Sequence, residues 1–315
     1  MTKEISLTSL EDTFVLNDHS FSRRRPGLYP SEASVEYIQD GMHKVDGKCL
    51  REAWYRHMQY PKSDPAGPVL MHTADLGKWD EIGLIDRWKK MGLWIGNNIK
   101  FYRQDLVLSG ELDAILKILD KKIGYEIKTF YAYPAQREIL GLKRPEVPGK
   151  PKSNQLLQAL IYSWEYRNEL DEYRMYYLER GNGKRVEFEV GCEEKPGPNG
   201  THTCWYRQIP GDYWNKFNKD KVYLPFGIED IHDRYKKLIK YIRTETLPPK
   251  DFEAIYNTEK IELLKSKGLI AKTTYEKWQK NPKKNPIGNW QCSYCAQKSR
   301  CKTDSLQETI NKTGE

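Results

Sequence analysis

Asp113, Glu126 and Lys128 are the residues whose types and spacing carry the clearest chemistry in this chain. They lie in the stretch GELDAILKILDKKIGYEIKTF, residues 110–130. LDAILKIL and IGYEIKTF are alternating, strand-like runs joined by DKK, which predicts a hairpin. Side chains two apart on a strand share a face, so Glu126 and Lys128 point one way. Ile123 and Ile127 point the other way, as buried positions do. A tight hairpin brings Asp113 towards the same polar face, near the strand ends. Two carboxylates and one ammonium converging there leave an excess of negative charge, and a divalent metal ion is the cation such a site implies.

Other elements must hold this hairpin. A strand is expected over NIKFYRQDLVL, leading into it. HTADLGKWDEIGLIDRWKKMG is the clearest amphipathic helix, with Leu76, Trp79, Ile82, Leu84, Ile85 and Trp88 apolar and Gly92 as its stop. NQLLQALIYSWEYR reads as another helix, and EYRMYYLER and RVEFEV as a second hairpin across GNGK. KCLREAWYRHMQY is a helix ended by Pro61, and PSEASVEYIQ starts a helix at Ser31. Residues 131–153, rich in Pro, Gly and Lys, read as one long loop of functional size. GCEEKPGPNGTHTCW reads as a second loop. From GIEDIHDRYKKLIKYIRT onward the chain is helical. The expected class is therefore α/β, a mixed core with helical ends. Residues 1–44 form a polar arm containing SRRRPG, 45–305 a single domain, and 306–315 a polar tail.

The chain has 315 residues, with 30% charged and 12% aromatic, and the 52 Lys and Arg exceed the 44 Asp and Glu by eight. That excess suits a polyanionic partner. CLREAWYRHMQYPK, DYWNKFNKDKVY and DRYKKLIKYIR interleave cations with aromatic rings, as a groove that follows a phosphate backbone does. Each also fits an amphipathic helix with a solvated basic face. No apolar run approaches the roughly 20 residues that span a bilayer, and the N-terminus lacks the basic and apolar regions of a signal peptide. A cytoplasmic protein with no membrane partner is expected.

The order of elements and the D…E-x-K triad resemble the PD-(D/E)XK nuclease superfamily, in its RecB-like branch. Asp113 with the EIK of Glu126–Lys128 fits D-x(n)-E-x-K, and Gln158 to Tyr162, QALIY, fits the Q-x-x-x-Y that follows. The resemblance implies a restriction-endonuclease-like core, a mixed central sheet flanked by helices, that hydrolyses phosphodiesters with Mg²⁺ or Mn²⁺. Asp113, Glu126 and the Ile127 carbonyl would supply oxygen ligands, and Lys128 would orient or deprotonate the attacking water. Gln158 and Tyr162 share a helix face and would position Lys128, a phosphate or a base. Relatives carry one more ligand four residues after a helix glycine. Glu81 stands there, four after Gly77, where many have His, and His72 is the other candidate.

Six cysteines in a cytosol-like chain need an explanation other than disulfides. Cys292, Cys295 and Cys301 form C-x2-C-x5-C, the spacing of a metal site. The fourth ligand is open among Cys49, Cys192 and Cys204. One distant N-terminal cysteine with a C-terminal C-x2-C-x(n)-C around a RecB-like core resembles the iron–sulfur nucleases, CRISPR-associated RecB-type exonucleases and AddB-type nuclease domains among them. That resemblance selects Cys49 and implies a 4Fe–4S cluster tying a helical C-terminal cap across about 240 residues; Zn²⁺ is the alternative occupant. The implied function is a metal-dependent DNA exonuclease acting on single-stranded or frayed ends, in recombination, repair or phage DNA metabolism. No G-x-x-x-x-G-K-[ST] phosphate loop is present, so any helicase motor belongs to a recombination partner. The alternative is a non-catalytic DNA-binding or assembly subunit on the same fold.

Overall fold

The protein is described by a computed structural model covering residues 6–20, 27–131, 133–141, 147–197, 200–210 and 220–313. The chain forms two compact units, Met1–Gly47 with Ala66–Ile239 and Lys48–Pro65 with Lys240–Glu315.

In chain order the elements are α1 (Leu7–Ser20), β1 (Ser34–Gln39), β2 (Met42–Gly47), α2 (Leu50–His57), α3 (Pro68–Lys90), β3 (Trp94–Gly96), β4 (Ile99–Arg103), β5 (Leu108–Leu112), β6 (Ala114–Ile118) and β7 (Lys121–Phe130). They continue with α4 (Tyr133–Ile139), α5 (Ser153–Glu165), β8 (Glu172–Glu179), β9 (Arg185–Glu194), β10 (His202–Ile209), β11 (Val222–Tyr223) and α6 (Ile228–Arg243). The last four are α7 (Thr258–Ser266), α8 (Lys272–Lys280), α9 (Trp290–Ser293) and α10 (Lys298–Thr313).

The first unit is α/β. Its central sheet has seven strands in the order β11-β10-β9-β8-β7-β6-β3. Only β7 and β8 run parallel; the other pairs are antiparallel, so the sheet is mixed. A parallel pair needs a crossover, and α5 supplies it. β7 is central and reads accordingly: Ile123 to Ile127 is buried without a break.

The two faces of β7 are committed by its alternation. Ile123, Tyr125 and Ile127 join Ala114 and Leu116 of β6, Tyr176 of β8 and Leu84, Ile85 and Trp88 of α3 in one apolar cluster. Each Leu and Ile side chain among them contributes about 1.5–3 kcal/mol on burial. The opposite face carries Glu126, Lys128 and Phe130. There Phe130 packs on Tyr177, with ring centroids 6.2 Å apart, and the Tyr177 hydroxyl donates to Gln155 Oε1 of α5 at 2.9 Å.

α3 begins with Pro68 in its first turn and ends before Gly92, whose φ of +71° suits a helix stop. Of its expected apolar residues Leu84, Ile85 and Trp88 are buried, while Leu76, Trp79 and Ile82, turned about 120–180° around the helix from Trp88, are exposed.

Several expectations are corrected. Ser31 lies in a single 3-10 turn, Pro30–Glu32, and no α-helix follows: residues 34–47 form the β1–β2 hairpin, turned by Asp40 and Gly41 at φ +52° and +70°. Both positive φ angles match an Asp-Gly type I′ turn. The arm holds α1, and residues 306–313 of the expected tail lie in α10. The 131–153 stretch contains α4, and GCEEKPGPNGTHTCW is largely strand, since β9 runs to Glu194 and β10 starts at His202. Residues 22–26 of SRRRPG, 132 and 142–146 of the long loop and 212–219 of DYWNKFNKDKVY lie outside the described residues. Among the described residues no helix is long and apolar enough to cross a membrane.

The second unit is helical. α2 is stitched to the C-terminal helices: Leu50 N donates to Asp251 Oδ2 at 2.7 Å, Arg51 Nε to the Pro248 carbonyl at 2.7 Å and the Tyr55 hydroxyl to Asp304 Oδ2 at 2.6 Å. Asp64 accepts from both the amide and the hydroxyl of Ser299, at 2.7 and 2.8 Å.

Candidate active site

β6 and β7 form the expected hairpin, with Ala114 opposite Tyr125 and Ile118 opposite Lys121, and its turn is Leu119–Asp120. Asp113 precedes β6, and its Oδ2 accepts a hydrogen bond from Ile127 N at 2.7 Å. In a strand one residue's N–H and C=O point to the same edge. The Ile127 carbonyl therefore faces the Asp113 side as well.

Glu126 is fully buried, with Lys128 Nζ 2.5 Å from its Oε1. That contact is a charge-assisted ion pair, and it helps raise the Lys128 ammonium. The Tyr173 hydroxyl donates to Oε2 at 3.4 Å. Tyr173 reaches Oε2 because position 124 is glycine: a Cβ there would stand 2.8 Å from Tyr173 Cδ2 and 2.6 Å from Leu170 Cδ1. Sequence reasoning missed Tyr173; its signal was a glycine inside a strand, which marks close approach.

Glu81 on α3 faces the same group. Burial pushes its carboxyl above the usual range, Lys128 pulls it down, and Glu126 and Glu111 push it up again. Asp113 is raised well above the usual range, first by burial, then by Glu126, with Lys128 opposing and Glu81 adding. Burial alone would lower the Lys128 ammonium, but Glu126 and then Asp113 outweigh it, so Lys128 is held protonated. Three carboxylates thus share one ammonium, the imbalance that raises carboxyl groups.

α3 is aimed by Arg180. Its Nε donates to Asp80 Oδ2 at 2.7 Å, Nη2 to Thr129 Oγ1 at 2.6 Å and Nη1 to the Thr73 carbonyl at 3.3 Å. A Cβ at Gly77 would meet Nη2 at 3.0 Å, so this glycine permits the approach. Asp80, one residue before Glu81, thereby holds the helix that carries Glu81. His72 is paired with Asp12 of α1, Nε2 to Oδ1 at 3.1 Å, and not with the carboxylates.

Gln158 and Tyr162 engage each other. The Tyr162 hydroxyl accepts from Glu111 N at 3.2 Å and bonds the Gln158 side chain, and its ring stacks on Tyr173 at 6.1 Å between centroids. Burial, then Glu126, raises the Tyr162 phenol, so it is a neutral neighbour of the carboxylates.

Cys49, Cys292, Cys295 and Cys301 all fall in the second unit and all are partly buried free thiols. Cys49 caps α2, and burial and then Asp251 push its thiol up to about 11. Cys295 is pushed up to about 12 by burial, then Glu52, with Cys49 adding, while Cys292 is raised by burial and then by Cys301. Each of the four therefore lies within electrostatic reach of another. Cys192 and Cys204 belong to the first unit, opposite each other on β9 and β10. Among the described residues no group of three or more His, Cys, Asp or Glu side chains stands at metal-ligand spacing.

No family model matches the chain, and no curated protein matches it. Among solved structures, one described as "Crystal structure of SSO0001" is similar over 93% of this chain and 95% of its own, at 14% identity and a TM-score of 0.41.

Proposed function

We propose that this chain is a metal-dependent deoxyribonuclease of the RecB-like PD-(D/E)XK kind, an exonuclease that hydrolyses single-stranded or frayed DNA ends. The observation that carries the reading is the charge of the β6–β7 site. Asp113, Glu126 and Glu81 act on one another there, and Lys128, 2.5 Å from Glu126 Oε1, is their shared counter-charge. Oxygen donors in excess of local positive charge fit a hard divalent cation.

Asp113, Glu126, Glu81 and the Ile127 carbonyl would hold Mg²⁺ or Mn²⁺, which when bound polarises a phosphoryl oxygen and acidifies water. Lys128, protonated in this setting, would donate to the phosphate and offset charge that develops in the transition state. Tyr173 and the Ile127 amide hold the two carboxylates, and Arg180 holds α3. The core would be the restriction-endonuclease-like variant of the α/β fold. In the second unit Cys49, Cys292, Cys295 and Cys301 would hold a 4Fe–4S cluster that ties the cap together; the soft donor set fits iron–sulfur or zinc. The net charge of +8 suits the DNA partner.

The test is Mn²⁺-dependent nucleotide release from end-labelled single-stranded DNA by wild type and by Glu126→Gln. Release by wild type and its loss in the variant support the proposal. DNA binding without cutting by wild type would turn it into a non-catalytic DNA-binding subunit.

A further inference from the structure

Cys192 and Cys204 take no part in the carboxylate site, nor in the cysteine set of the second unit, and their geometry gives them a chemistry of their own. They face each other directly across β9 and β10, and their Sγ atoms are 2.8 Å apart. That is about 0.8 Å beyond the bonded sulfur separation of about 2.05 Å. The Cys204 amide donates to the Phe226 carbonyl at 3.2 Å, and its carbonyl accepts from Leu224 N at 2.9 Å. Both backbone groups thus point away from β9, so the cysteines form a non-hydrogen-bonded antiparallel pair. Such pairs have Cα atoms about 4.5 Å apart, inside the window of about 4.4–6.8 Å that a disulfide spans. No backbone movement is needed to join them.

The two thiols differ in access. Cys204 is fully buried and Cys192 is partly exposed. Burial, then the neighbouring Cys192, holds the Cys204 thiol well above its ordinary pKa, with Glu229 and Asp230 adding to the effect. A reagent from solvent therefore meets Cys192 first.

We propose that Cys192 and Cys204 form a reversible dithiol–disulfide site that reacts with low-molecular-weight disulfides of the glutathione disulfide class. The Cys192 thiolate attacks one sulfur of the small disulfide, its S–S bond breaks, and one thiolate leaves and takes up the Cys192 proton. Cys204, after losing its proton to solvent, attacks Cys192 Sγ of the mixed disulfide, and the second small thiolate leaves and is protonated. In sum two cysteine thiols and one small disulfide become one protein disulfide and two small thiols, with two electrons passing to the reagent. The new bond pins β9 to β10 across the 195–201 connection, within the central sheet.

The test is incubation of the native protein with glutathione disulfide, followed by alkylation and peptide mapping. The expected product in wild type is a peptide pair linked through Cys192 and Cys204, with no lasting glutathione adduct on either. Cys204→Ser should stop at one glutathione adduct on Cys192, and Cys192→Ser should leave Cys204 unmodified until the protein is unfolded. The oxidised wild type should melt about 5–10 °C higher than the reduced form, because the link restricts the unfolded chain. A persistent adduct on wild-type Cys192, no reaction at either residue, or a link from either to another cysteine would overturn the proposal.

Discussion

Asp113 Oδ2 accepts the amide proton of Ile127 at 2.7 Å, so the backbone of the E-x-K strand itself orients the aspartate at the mouth of the hairpin. The adjoining Ile127 carbonyl, turned to the same edge, becomes available beside it. The relationship ties Asp113 to β7 more firmly than spacing along the chain implies.

The helix ligand separates into two alternatives. Glu81 interacts with Lys128 and Glu126, whereas His72 is paired with Asp12. Glu81→Ala should weaken Mn²⁺ binding by about tenfold or more, a loss typical of a metal-site residue, and His72→Ala should leave it unchanged. Titration calorimetry with catalytically inert Ca²⁺ and with Mn²⁺ reads both. The reverse pattern would move the ligand to His72.

Gly124 and Tyr173 should act together. A methyl at 124 stands 2.8 Å from the Tyr173 ring and 2.6 Å from Leu170, an overpacked contact that costs about 1–3 kcal/mol. Gly124→Ala should therefore lower the urea midpoint, while Tyr173→Phe, which deletes only the hydroxyl on Glu126, should cost about 1 kcal/mol. Both should weaken Mn²⁺ binding. Unchanged binding in both would detach Tyr173 from the site.

The first unit should lose stability in mild acid through His232. Its Nε2 accepts from Arg103 Nη1 at 3.1 Å, and burial, then Arg103, lowers its pKa from 6.5 to about 4. An unfolded histidine binds its proton as pH falls through about 6.5, whereas the folded one does so only near 4. The stabilising term is whole above 6.5 and declines between 6.5 and 4, by up to about 3 kcal/mol. His232→Gln should flatten urea-derived stability across that window; an unaltered slope would assign the loss to other groups.

Anaerobically purified protein should carry about four irons per chain with matching sulfide. Cys49→Ser should lower iron content and melting temperature, while Cys192→Ser and Cys204→Ser should keep the iron. Zinc in place of iron would keep the four ligands and change their occupant.

The hairpin, the shared face of Glu126 and Lys128 and the helix bearing Gln158 and Tyr162 were legible because period-2 and period-3.6 patterns report them directly. An Asp-Gly pair between alternating runs signals a hairpin, so the Asp40-Gly41 turn that makes residues 34–39 a strand was legible too. What the sequence hid was tertiary. Nothing in the chain says that Arg180 reaches Asp80, or that Cys192 and Cys204, twelve positions apart, stand in register on two strands.

The most direct measurement is cleavage of end-labelled linear and of circular single-stranded DNA with Mn²⁺, by wild type and by Lys128→Ala of confirmed fold. The account predicts that wild type degrades the linear strand and spares the circle, and that the variant loses this activity. Equal cleavage by both proteins would contradict it.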